Sequence, residues 1–533
     1  MKARRTSLNL GTAAAVADQS DVIAFLSDHE NYEGQPEDVE RLETHGAFVF
    51  LAGNLAIKLK RAVKLPYMDF STIEKRAEAC RNEIRRNQPT APDIYRDALP
   101  VVRTTDGGIA FGGAGDVIDW VVRMRRFDQA DLFDQRAQQG QLSPDLMVPL
   151  ADHISNYHAR AQQHPDLDGD DILAHVVTST IKSFLYAADV FGLSEVRRYS
   201  GQAVASLNAN SRLLRKRSHQ GYVRLCHGDL HLRNIVLHDG RPTLFDAIEF
   251  DDRLATVDVL YDVAFLLMDL WRRDLKTHAN LCFNHYVSKA LNADALDGLA
   301  AMPLFLSARA AVRAMVAIDQ LSITDRDGGE DKIREARQYF QLANSFLETS
   351  RPRLIAIGGY SGTGKSTVAA GLARNLGAAP GALHLRSDVE RKHMFGVDLS
   401  ENLPKHAYSE AVTENVYRRL CNRAERVLKA GHTVIVDAVF LNAHQRRWIE
   451  LVGARANVPF TGLWLEAEES KLLERVNQRQ NDASDADQAV VLRQLRTRTV
   501  VSCWTSVDVN CERQTAIERA CAVTLDYHQK PAG

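Results

Sequence analysis

The stretch Gly359-Tyr360-Ser361-Gly362-Thr363-Gly364-Lys365-Ser366 has the G-x-x-x-x-G-K-S spacing of a phosphate-binding loop. It follows the apolar run at residues 354–357, which predicts a buried strand, and it leads into a predicted helix. In such a loop, glycines let backbone N–H groups approach phosphate oxygens, and the helix adds its positive N-terminal end. The sequence therefore predicts a nucleotide site formed by Gly359, Ser361, Gly362, Thr363, Gly364, Lys365, Ser366 and Thr367.

The chemistry of this loop assigns roles to its last residues. Lys365 is expected to reach the β- and γ-phosphates, and the Ser366 hydroxyl is expected to bind Mg²⁺. The run at residues 433–436 predicts a strand that ends in Asp437, a carboxylate expected beside Mg²⁺ or its waters. Together these three residues describe a site for ATP with its metal ion.

Further polar residues downstream suit the transfer of a phosphoryl group. Asp388 follows the strand-like residues 382–385 and is a candidate base for an attacking hydroxyl; the alternative is a helix N-cap. Arg391, about one helical turn later, is a candidate ligand for a substrate phosphate. Arg475 and Arg479 lie four residues apart on one predicted helix face and suit a cationic lid. The alternative for these arginines is a solvated helix face.

The order of elements predicts two domains. After Ser350-Arg351-Pro352, where proline discourages a continuing helix, strands alternate with helices, which predicts a parallel sheet flanked by helices. We place an α/β P-loop kinase domain at residues 350–533 and an α+β domain at residues 26–349. Residues 1–25 are expected to form a disordered leader.

The N-terminal domain is predicted to begin with strands and to become mainly helical. Two strands are expected at residues 45–60, around the turn at 52–54, and further strand candidates lie at residues 101–125. A helix is predicted over residues 70–87, with Ser71 as its N-cap. Long helices are expected from residue 143 to 220 and again from 256 to 348.

A second signature lies in this domain, in the stretch His227-Gly228-Asp229-Leu230-His231-Leu232-Arg233-Asn234. With Asp246, it reads like the catalytic and metal-binding segments of a protein-kinase-like fold. Such a fold implies that Asp229 orients the substrate hydroxyl, and that Asn234 and Asp246 hold Mg²⁺ on the ATP phosphates.

The same comparison suggests which residues align ATP. Lys58 lies on a predicted strand and is expected to contact the α- and β-phosphates, with Glu83 on the next helix as its ion-pair partner. Lys60 is the rival for the lysine role, because residues two apart share a strand face. No G-x-G-x-x-G precedes Lys58, so only the turn at residues 52–54 is available to cover the phosphates.

The H-G-D-L-H-x-x-N stretch resembles the aminoglycoside-phosphotransferase group, and the resemblance covers roughly residues 30–345. It implies a protein-kinase-like fold with a helical substrate-binding lobe, and it implies that Asp262 braces the catalytic loop. The carboxylates at residues 249–252 leave two interpretations open. They could attract a cationic or polyhydroxyl substrate, or they could belong to a solvated loop.

The C-terminal residues resemble the small P-loop kinases related to polynucleotide kinase and the zeta toxins. Three segments carry this resemblance, over about residues 352–500: Asp388–Arg391, Asp437–Phe440 and Arg479–Ala486. The order of the two domains resembles a bacterial group described as bifunctional phosphotransferase/ATP-binding proteins. That description implies the pair of folds and says little about substrates.

Composition adds few constraints. The 533 residues are 45% hydrophobic and 25% charged, with a formal net charge of −2, which gives no global argument for a nucleic-acid or membrane partner. The seven cysteines form no C-x-x-C pair, and this favours a reducing, cytoplasmic compartment. The apolar stretch at residues 299–318 contains Arg309 and Arg313, so a buried helix is expected there instead of a membrane span.

The sequence therefore predicts a bifunctional ATP- and Mg²⁺-dependent kinase. Each domain would transfer a γ-phosphate to a hydroxyl of a small molecule. One alternative is a nucleic-acid 5′-hydroxyl kinase in the C-terminal domain, and another is a non-enzymatic protein switched by ATP. The acceptors, any coupling between the reactions, the use of GTP and the oligomeric state are left open by the sequence.

Overall fold

The computed structural model describes residues 17–44, 46–65, 68–290, 294–321, 329–478, 483–497, 501 and 503–526. The chain forms two compact units. The first contains the residues up to Asp269 together with Phe305–Asn344, and the second contains Leu270–Leu304 together with the residues from Ser345 onward. A segment that precedes the predicted boundary near residue 350 is thus part of the second unit.

The first unit begins with a helix and an antiparallel sheet. These elements are α1 (Ser20–Ser27), β1 (Val39–Glu43), β2 (Ala47–Ala52), β3 (Leu55–Lys60), β4 (Lys64–Leu65), β5 (Met68–Asp69), α2 (Ile73–Asn87), β6 (Tyr95–Arg103), β7 (Ile109–Phe111) and β8 (Asp116–Arg125). Six of the strands form one sheet in the order β1-β2-β3-β8-β6-β7, and every pairing is antiparallel. The strands predicted within residues 45–60 and 101–125 are confirmed.

Alternate residues of these strands pack on opposite faces of the sheet. On one face Phe50, Leu59 and Val121 join a cluster with Val22 and Leu26 of α1. On the other face Leu51, Ala56 and Val122 join a cluster with Cys80 of α2. The period of two in each strand therefore buries the sheet between two helices.

Two local expectations differ from the structure. Helix α1 begins at Ser20, inside the segment predicted as a disordered leader, and its residue Val22 is buried against the sheet; residues 20–25 are therefore helical instead of disordered. The N-cap of α2 is Thr72, whose side chain accepts a hydrogen bond from the Lys75 N–H, and not Ser71. Ser71 instead bonds to Asp69 in the preceding strand.

The remainder of the first unit is mostly helical, with short strands around the second signature. The elements are α3 (Phe133–Gln138), α4 (Met147–Arg160), α5 (Gly169–Tyr186), α6 (Ala188–Phe191), α7 (Leu193–His219), β9 (Val223–Leu225), β10 (Ile235–His238), β11 (Arg241–Leu244), α8 (Asp252–Ala255), β12 (Thr256–Asp258) and α9 (Val259–Arg272). Strand β9 pairs with β12, and β10 pairs with β11. After α10 (Lys276–Ala290), the helices α11 (Met302–Leu321) and α12 (Gly329–Phe346) follow.

The second unit is built on a parallel sheet. Its elements are α10 and then β13 (Leu354–Gly358), α13 (Lys365–Ala373), β14 (Leu383–Arg386), α14 (Ser387–Phe395), α15 (Glu410–Lys429), β15 (Val434–Asp437), α16 (Ala443–Ala456), β16 (Phe460–Glu466), α17 (Glu469–Asn477), α18 (Gln488–Arg496), β17 (Thr505–Asp508) and α19 (Arg513–Asp526). The strand order is β14-β15-β13-β16-β17, and all neighbours are parallel. Every residue of the central strand β13 is buried, as expected for a strand covered on both faces. The predicted fold classes of both domains are confirmed.

One helical stretch among the described residues, Ala295–Gln320, is long and apolar enough to cross a membrane by length and composition. Of its most apolar window, 67% is buried inside the protein. Within this stretch Arg309 is buried and donates hydrogen bonds to the carbonyls of Tyr261 and Gly228.

Candidate active sites

Strand β3 and helix α2 bring together the residues predicted to align ATP in the first unit. Lys58 Nζ lies 2.8 Å from Glu83 Oε1 and 2.6 Å from Asp246 Oδ1. Glu83 is fully buried, while the Asp246 side chain is 39% exposed. Lys58 therefore links the buried helix to the carboxylate predicted to hold metal.

Lys60, the rival lysine, occupies a different position. It is 1% exposed, lies 2.5 Å from Glu83 Oε2 and is also paired with Glu249. Both lysines share a strand face with Ala56, whereas Leu59 points to the opposite core. Lys60 is a buried structural cation, and Lys58 is the one that contacts Asp246.

The second signature forms a loop that supports Asp229. The Asn234 amide nitrogen donates to both the backbone oxygen and Oδ2 of Asp229, each at 2.9 Å. His231 Nε2 lies 3.3 Å from the same carboxylate oxygen. The donor side of the Asn234 amide is thus directed at Asp229, and its carbonyl oxygen is the side that suits a metal ion.

The two carboxylates of this site have pKa values below their ordinary range. Burial raises the pKa of Asp229, but His231, Arg313 and His227 outweigh that effect and lower it. Burial likewise raises the pKa of Asp246, and Lys58 reverses the direction. Both groups are therefore ionised at neutral pH, the form that can orient a hydroxyl or bind a cation.

Asp262, at the start of α9, holds the catalytic loop through its buried carboxylate. It accepts hydrogen bonds from the backbone N–H groups of Gly228 at 2.9 Å and His227 at 3.3 Å. Gly228 has a φ of +83°, and a Cβ there would lie 2.9 Å from Ile248 Cδ1, so the loop requires glycine. The bracing role implied for Asp262 matches these contacts.

His158 on α4 is a further residue of this site, which no motif predicts; its Nε2 lies 3.1 Å from Asp262 Oδ2. His158, Cys226 and Asp262 lie close enough together to resemble a metal-binding group. Because the oxygens of Asp262 already accept backbone N–H groups, the cluster is explained as a brace for the loop. A single histidine in a helical segment gives no sequence signal of this contact.

The acidic loop at residues 249–252 is neutralised by neighbouring cations. Glu249 pairs with Lys60, and Asp251 lies 2.8 Å from Arg253. Asp252 lies 3.2 Å from Arg86. These pairings do not favour the loop as a binding surface for a cationic substrate.

In the second unit, three polar segments follow the carboxyl ends of three neighbouring strands. The phosphate loop follows β13, Asp388 follows β14, and Asp437 ends β15. Ligands of open parallel sheets bind at this edge of the sheet. The sheet order thus explains how residues far apart in sequence form one site.

Neighbouring groups of the protein pack closely against the phosphate loop. Gly362 has a φ of +90°, and a Cβ there would lie 2.7 Å from the backbone oxygen of Leu472 on α17. Lys365 Nζ donates to the Tyr360 carbonyl at 3.0 Å. Ser361 and Thr363 are buried, and the Thr363 hydroxyl also donates to Tyr360.

Asp437 lies at the centre of the polar contacts in this unit. The Ser366 hydroxyl donates to its Oδ2, and His384 Nε2 lies 3.3 Å from the same atom. Burial raises the pKa of Asp437, but His384, Lys365 and Arg386 lower it overall to about 2. The contact between Ser366 and Asp437 brings together the hydroxyl and carboxylate expected to serve Mg²⁺.

Asp388 lies in the first turn of α14, and its pKa is shifted in the opposite direction to that of Asp437. Burial and the neighbouring Asp437 raise its pKa, whereas a hydrogen bond from Ser484 and the cations Arg386 and Lys365 act against that rise. Its side chain is not the N-cap of α14, which begins after Arg386 without a side-chain cap. A raised pKa suits a carboxylate that accepts a proton from a hydroxyl.

Two of the three predicted arginines donate hydrogen bonds to other groups of the protein. Arg391 donates to the Ala407 carbonyl at 2.6 Å and to the Thr413 hydroxyl at 3.3 Å, while its buried Nε has no hydrogen-bond partner in the part of the chain that the structure describes. Arg475 donates to the carbonyls of Val509 and Cys511, at 2.9 and 3.3 Å. Arg479 lies outside the described residues.

Gln494 on α18 was also missed by the sequence analysis. Its Oε1 accepts the Ser361 backbone N–H at 2.8 Å, and its Nε2 donates to the Ser361 hydroxyl at 3.1 Å. Leu472, Val476 and Val491 form a small buried cluster with the partly buried Tyr360. Helices α17 and α18 therefore pack directly on the phosphate loop.

The two folds and their sites define a protein-kinase-like domain joined to a P-loop kinase domain. Residues 73–299 match the model of the phosphotransferase enzyme family, and residues 354–501 match the model of an AAA domain. The first match extends through α10. These matches confirm the pair of resemblances, and the protein is an ATP-dependent phosphotransferase.

The chain is also similar to one relative and to two solved structures over the shares given below. An uncharacterized protein of Mycobacterium tuberculosis is 28% identical over 454 residues, which cover 83% of this chain and 87% of the relative. A choline/ethanolamine kinase family protein from Mesorhizobium loti is 12% identical, with a TM-score of 0.36, covering 61% of this chain and 98% of its own. A gluconokinase from Sinorhizobium meliloti is 19% identical, with a TM-score of 0.25, covering 34% and 99%.

Proposed function

We propose that the protein is a bifunctional kinase with one ATP·Mg²⁺ site in each unit, and that each site phosphorylates a hydroxyl of a small molecule. The observation that carries the proposal is the presence of two separate sets of polar residues, one in each unit. One joins Lys58, Glu83 and Asp246 by ion pairs, and the other joins Ser366 and Asp437 by a hydrogen bond.

The residues present fit Mg²⁺ in both units. Mg²⁺ prefers oxygen ligands and is commonly held by one or two carboxylates together with phosphate oxygens. Asn234 and Asp246 would hold it in the first unit, and Ser366 and Asp437 in the second. The ion would neutralise charge on the ATP phosphates.

In the first unit, Asp229 orients the acceptor. Because its pKa is lowered, it is ionised and accepts the hydrogen bond of the attacking hydroxyl instead of storing a proton. Lys58 aligns ATP and is itself fixed by the buried Glu83. Phosphoryl transfer depends mainly on such positioning and electrostatics.

In the second unit, residues 359–367 cradle the phosphates and Lys365 reaches the β- and γ-oxygens. Asp388 takes the proton of the acceptor hydroxyl, a role that its raised pKa favours. Arg391 lies near Asp388, and its buried Nε has no hydrogen-bond partner among the described residues. This Nε is available to bind a phosphate of the substrate. For Arg475 the backbone contacts with Val509 and Cys511 favour a structural role, and the lid role of Arg479 remains a prediction.

The labelling of acceptors by γ-³²P-ATP tests the proposal. Wild-type protein, Asp229→Ala and Lys365→Ala are incubated with a metabolite extract and, separately, with 5′-hydroxyl oligonucleotides. We expect each variant to lose a different set of labelled metabolites, because each removes one site. If neither substitution alters labelling, the proposal is wrong; if only oligonucleotide labelling depends on Lys365, the second unit is a nucleic-acid kinase.

The compartment and partners follow from this chemistry. A protein that consumes ATP needs a compartment that supplies it, so we propose the cytoplasm. The proposed partners are small-molecule acceptors.

A further inference from the structure

Two asparagines of α10 bind the exposed edge of the parallel sheet in the second unit. Strand β14 is an edge strand, so on one side of its backbone no strand lies among the described residues. Asn280 Nδ2 donates to the carbonyls of Pro380 and Ala382, at 3.0 and 3.1 Å. Asn284 Nδ2 donates to the Ala382 carbonyl at 3.2 Å, and its Oδ1 accepts the His384 N–H at 2.6 Å.

Asn284 thus fixes the backbone of a residue whose side chain reaches the phosphate site. The His384 side chain is 9% exposed, and its Nε2 lies 3.3 Å from Asp437 Oδ2. The Ser366 hydroxyl donates to that same oxygen. A continuous series of contacts therefore runs from α10 through β14 to the last residue of the phosphate-loop motif.

The geometry limits what this series does. Neither Asn284 nor His384 has a contact with the loop residues 359–364 among the described interactions. Their effect on the site passes through Asp437. Asn284 fixes the backbone of His384, and the His384 ring contacts the Asp437 carboxylate. Groups that orient a metal-binding carboxylate in this way govern metal affinity more than they govern binding of the remaining ligand.

We propose that Asn284 and His384 are positioning residues that orient the Asp437 carboxylate toward Ser366 and the metal ion of ATP. The inference rests on the proposed kinase function of the second unit and adds residues that no motif contains. It assigns to α10, which lies about 70 residues before the phosphate loop in sequence, a part in that site.

Nucleotide binding with and without metal tests this role in the full-length chain. The background is Lys58→Met, which removes the Lys58 contacts of the first site. Calorimetry gives the Kd of ATP with Mg²⁺ and the Kd of ATP with a chelator. We expect His384→Ala to weaken MgATP binding by about tenfold or more and to change metal-free ATP binding less than about twofold.

Four further variants separate a positioning role from a general loss of structure. His384→Gln retains a side-chain donor and is expected to recover most of the MgATP affinity. Asn284→Ala should weaken MgATP binding in the same direction, and the double variant should bind no more weakly than His384→Ala, because both act through one contact. Asn280→Ala is the control for loss of backbone bonds: it removes the bonds to Pro380 and Ala382 and one bond from Asn284 Nδ2, but it leaves the bond between Asn284 Oδ1 and the His384 N–H, so it should lower MgATP affinity less than Asn284→Ala does.

The outcomes distinguish this inference from the proposed function. Equal loss of MgATP and metal-free ATP binding, or no loss of either, in His384→Ala would overturn the positioning role. If Lys365→Ala in the same background does not reduce MgATP binding, the second unit is not the ATP site that we propose, and both conclusions are wrong. Thermal unfolding of each variant confirms that it is folded.

Discussion

At the scale of single residues, two neighbouring lysines on β3 illustrate how similar side chains acquire different roles. Lys58 bridges Glu83 and Asp246, whereas Lys60 is buried between Glu83 and Glu249. The sequence could place both on one strand face but could not separate them, since the difference arises from Glu249, far along the chain. Lys58 is the lysine that contacts Asp246, and its role in aligning ATP stays a prediction.

Replacing these two lysines should affect different properties. Lys58→Met leaves Glu83 paired with Lys60, so we expect a folded protein whose first-unit transfer rate falls by about 10²–10³-fold. Lys60→Met leaves Glu249 without its partner in the core, so we expect about 3–5 kcal/mol loss in the free energy of unfolding. Transfer rates and chemical denaturation measure the two effects; equal effects of both variants on both quantities would contradict the assignment.

The two candidate acceptor carboxylates should respond differently to pH. The pKa of Asp388 is raised above its ordinary 3.8, and the pKa of Asp229 is lowered below it. Since each acts as a carboxylate, the second-unit kcat/KM should begin to fall at a higher pH on acidification than the first-unit value. The pH profiles of Lys365→Ala and Asp229→Ala, each reporting the other site, measure this; profiles that coincide would show that Asp388 is not the base.

At the scale of elements, the described strands and helices of the P-loop domain follow closely from sequence. The apolar run of β13, the glycine-rich loop and the alternation of strands and helices all have local signals. The contacts of α10 do not, because Asn284 and His384 are 100 residues apart and an asparagine on a helix reads as a solvated position. The contacts of His158 and Gln494 could not be predicted from the sequence for the same reason.

His432, before β15, makes the second unit sensitive to acid. It is buried and stacks at 6.0 Å on Phe283 of α10, and neither ring nitrogen has a hydrogen-bond partner among the described residues. Burial lowers its pKa from 6.5 to about 4, so the unfolded chain binds a proton in this interval and the folded chain does not. Stability should therefore fall as pH drops from 6.5 toward 4, by on the order of 3 kcal/mol.

The variant His432→Leu isolates this contribution. Leucine does not titrate, so the pH dependence of the unfolding free energy between pH 6.5 and 4 should become shallower by that amount. Denaturant unfolding at each pH is followed by a spectroscopic signal that reports on the second unit alone. It gives the slope of the unfolding free energy against pH for the wild type and for the variant. Identical slopes in wild type and variant would show that His432 is not buried in the neutral form.

At the scale of the whole molecule, the chain enters the second unit twice. Residues 270–304 form part of that unit before the chain returns at 305 to complete the first. A break inferred from Ser350-Arg351-Pro352 marks where the P-loop fold begins, but it does not mark everything that the unit contains. Sequence order alone cannot reveal an earlier segment that packs on a later fold.

A fragment of residues 350–533 should therefore be less stable than the same region in the intact chain. It lacks Asn280 and Asn284, which make one hydrogen bond to β14 and three to the residues just before it. We expect a lower Tm and a tendency to associate through that exposed edge. A peptide of residues 270–304 should raise the Tm, and the same peptide with both asparagines replaced by alanine should raise it less; a fragment that is indifferent to either peptide would contradict this account.

The central claim is that one chain binds two molecules of MgATP at independent sites, and nucleotide stoichiometry tests it most directly. Calorimetry with a non-hydrolysable MgATP analogue needs no knowledge of the acceptors. We predict two molecules bound per wild-type chain, one for Lys365→Ala and one for Lys58→Met. A stoichiometry of one in the wild type, abolished by either substitution alone, would contradict the claim.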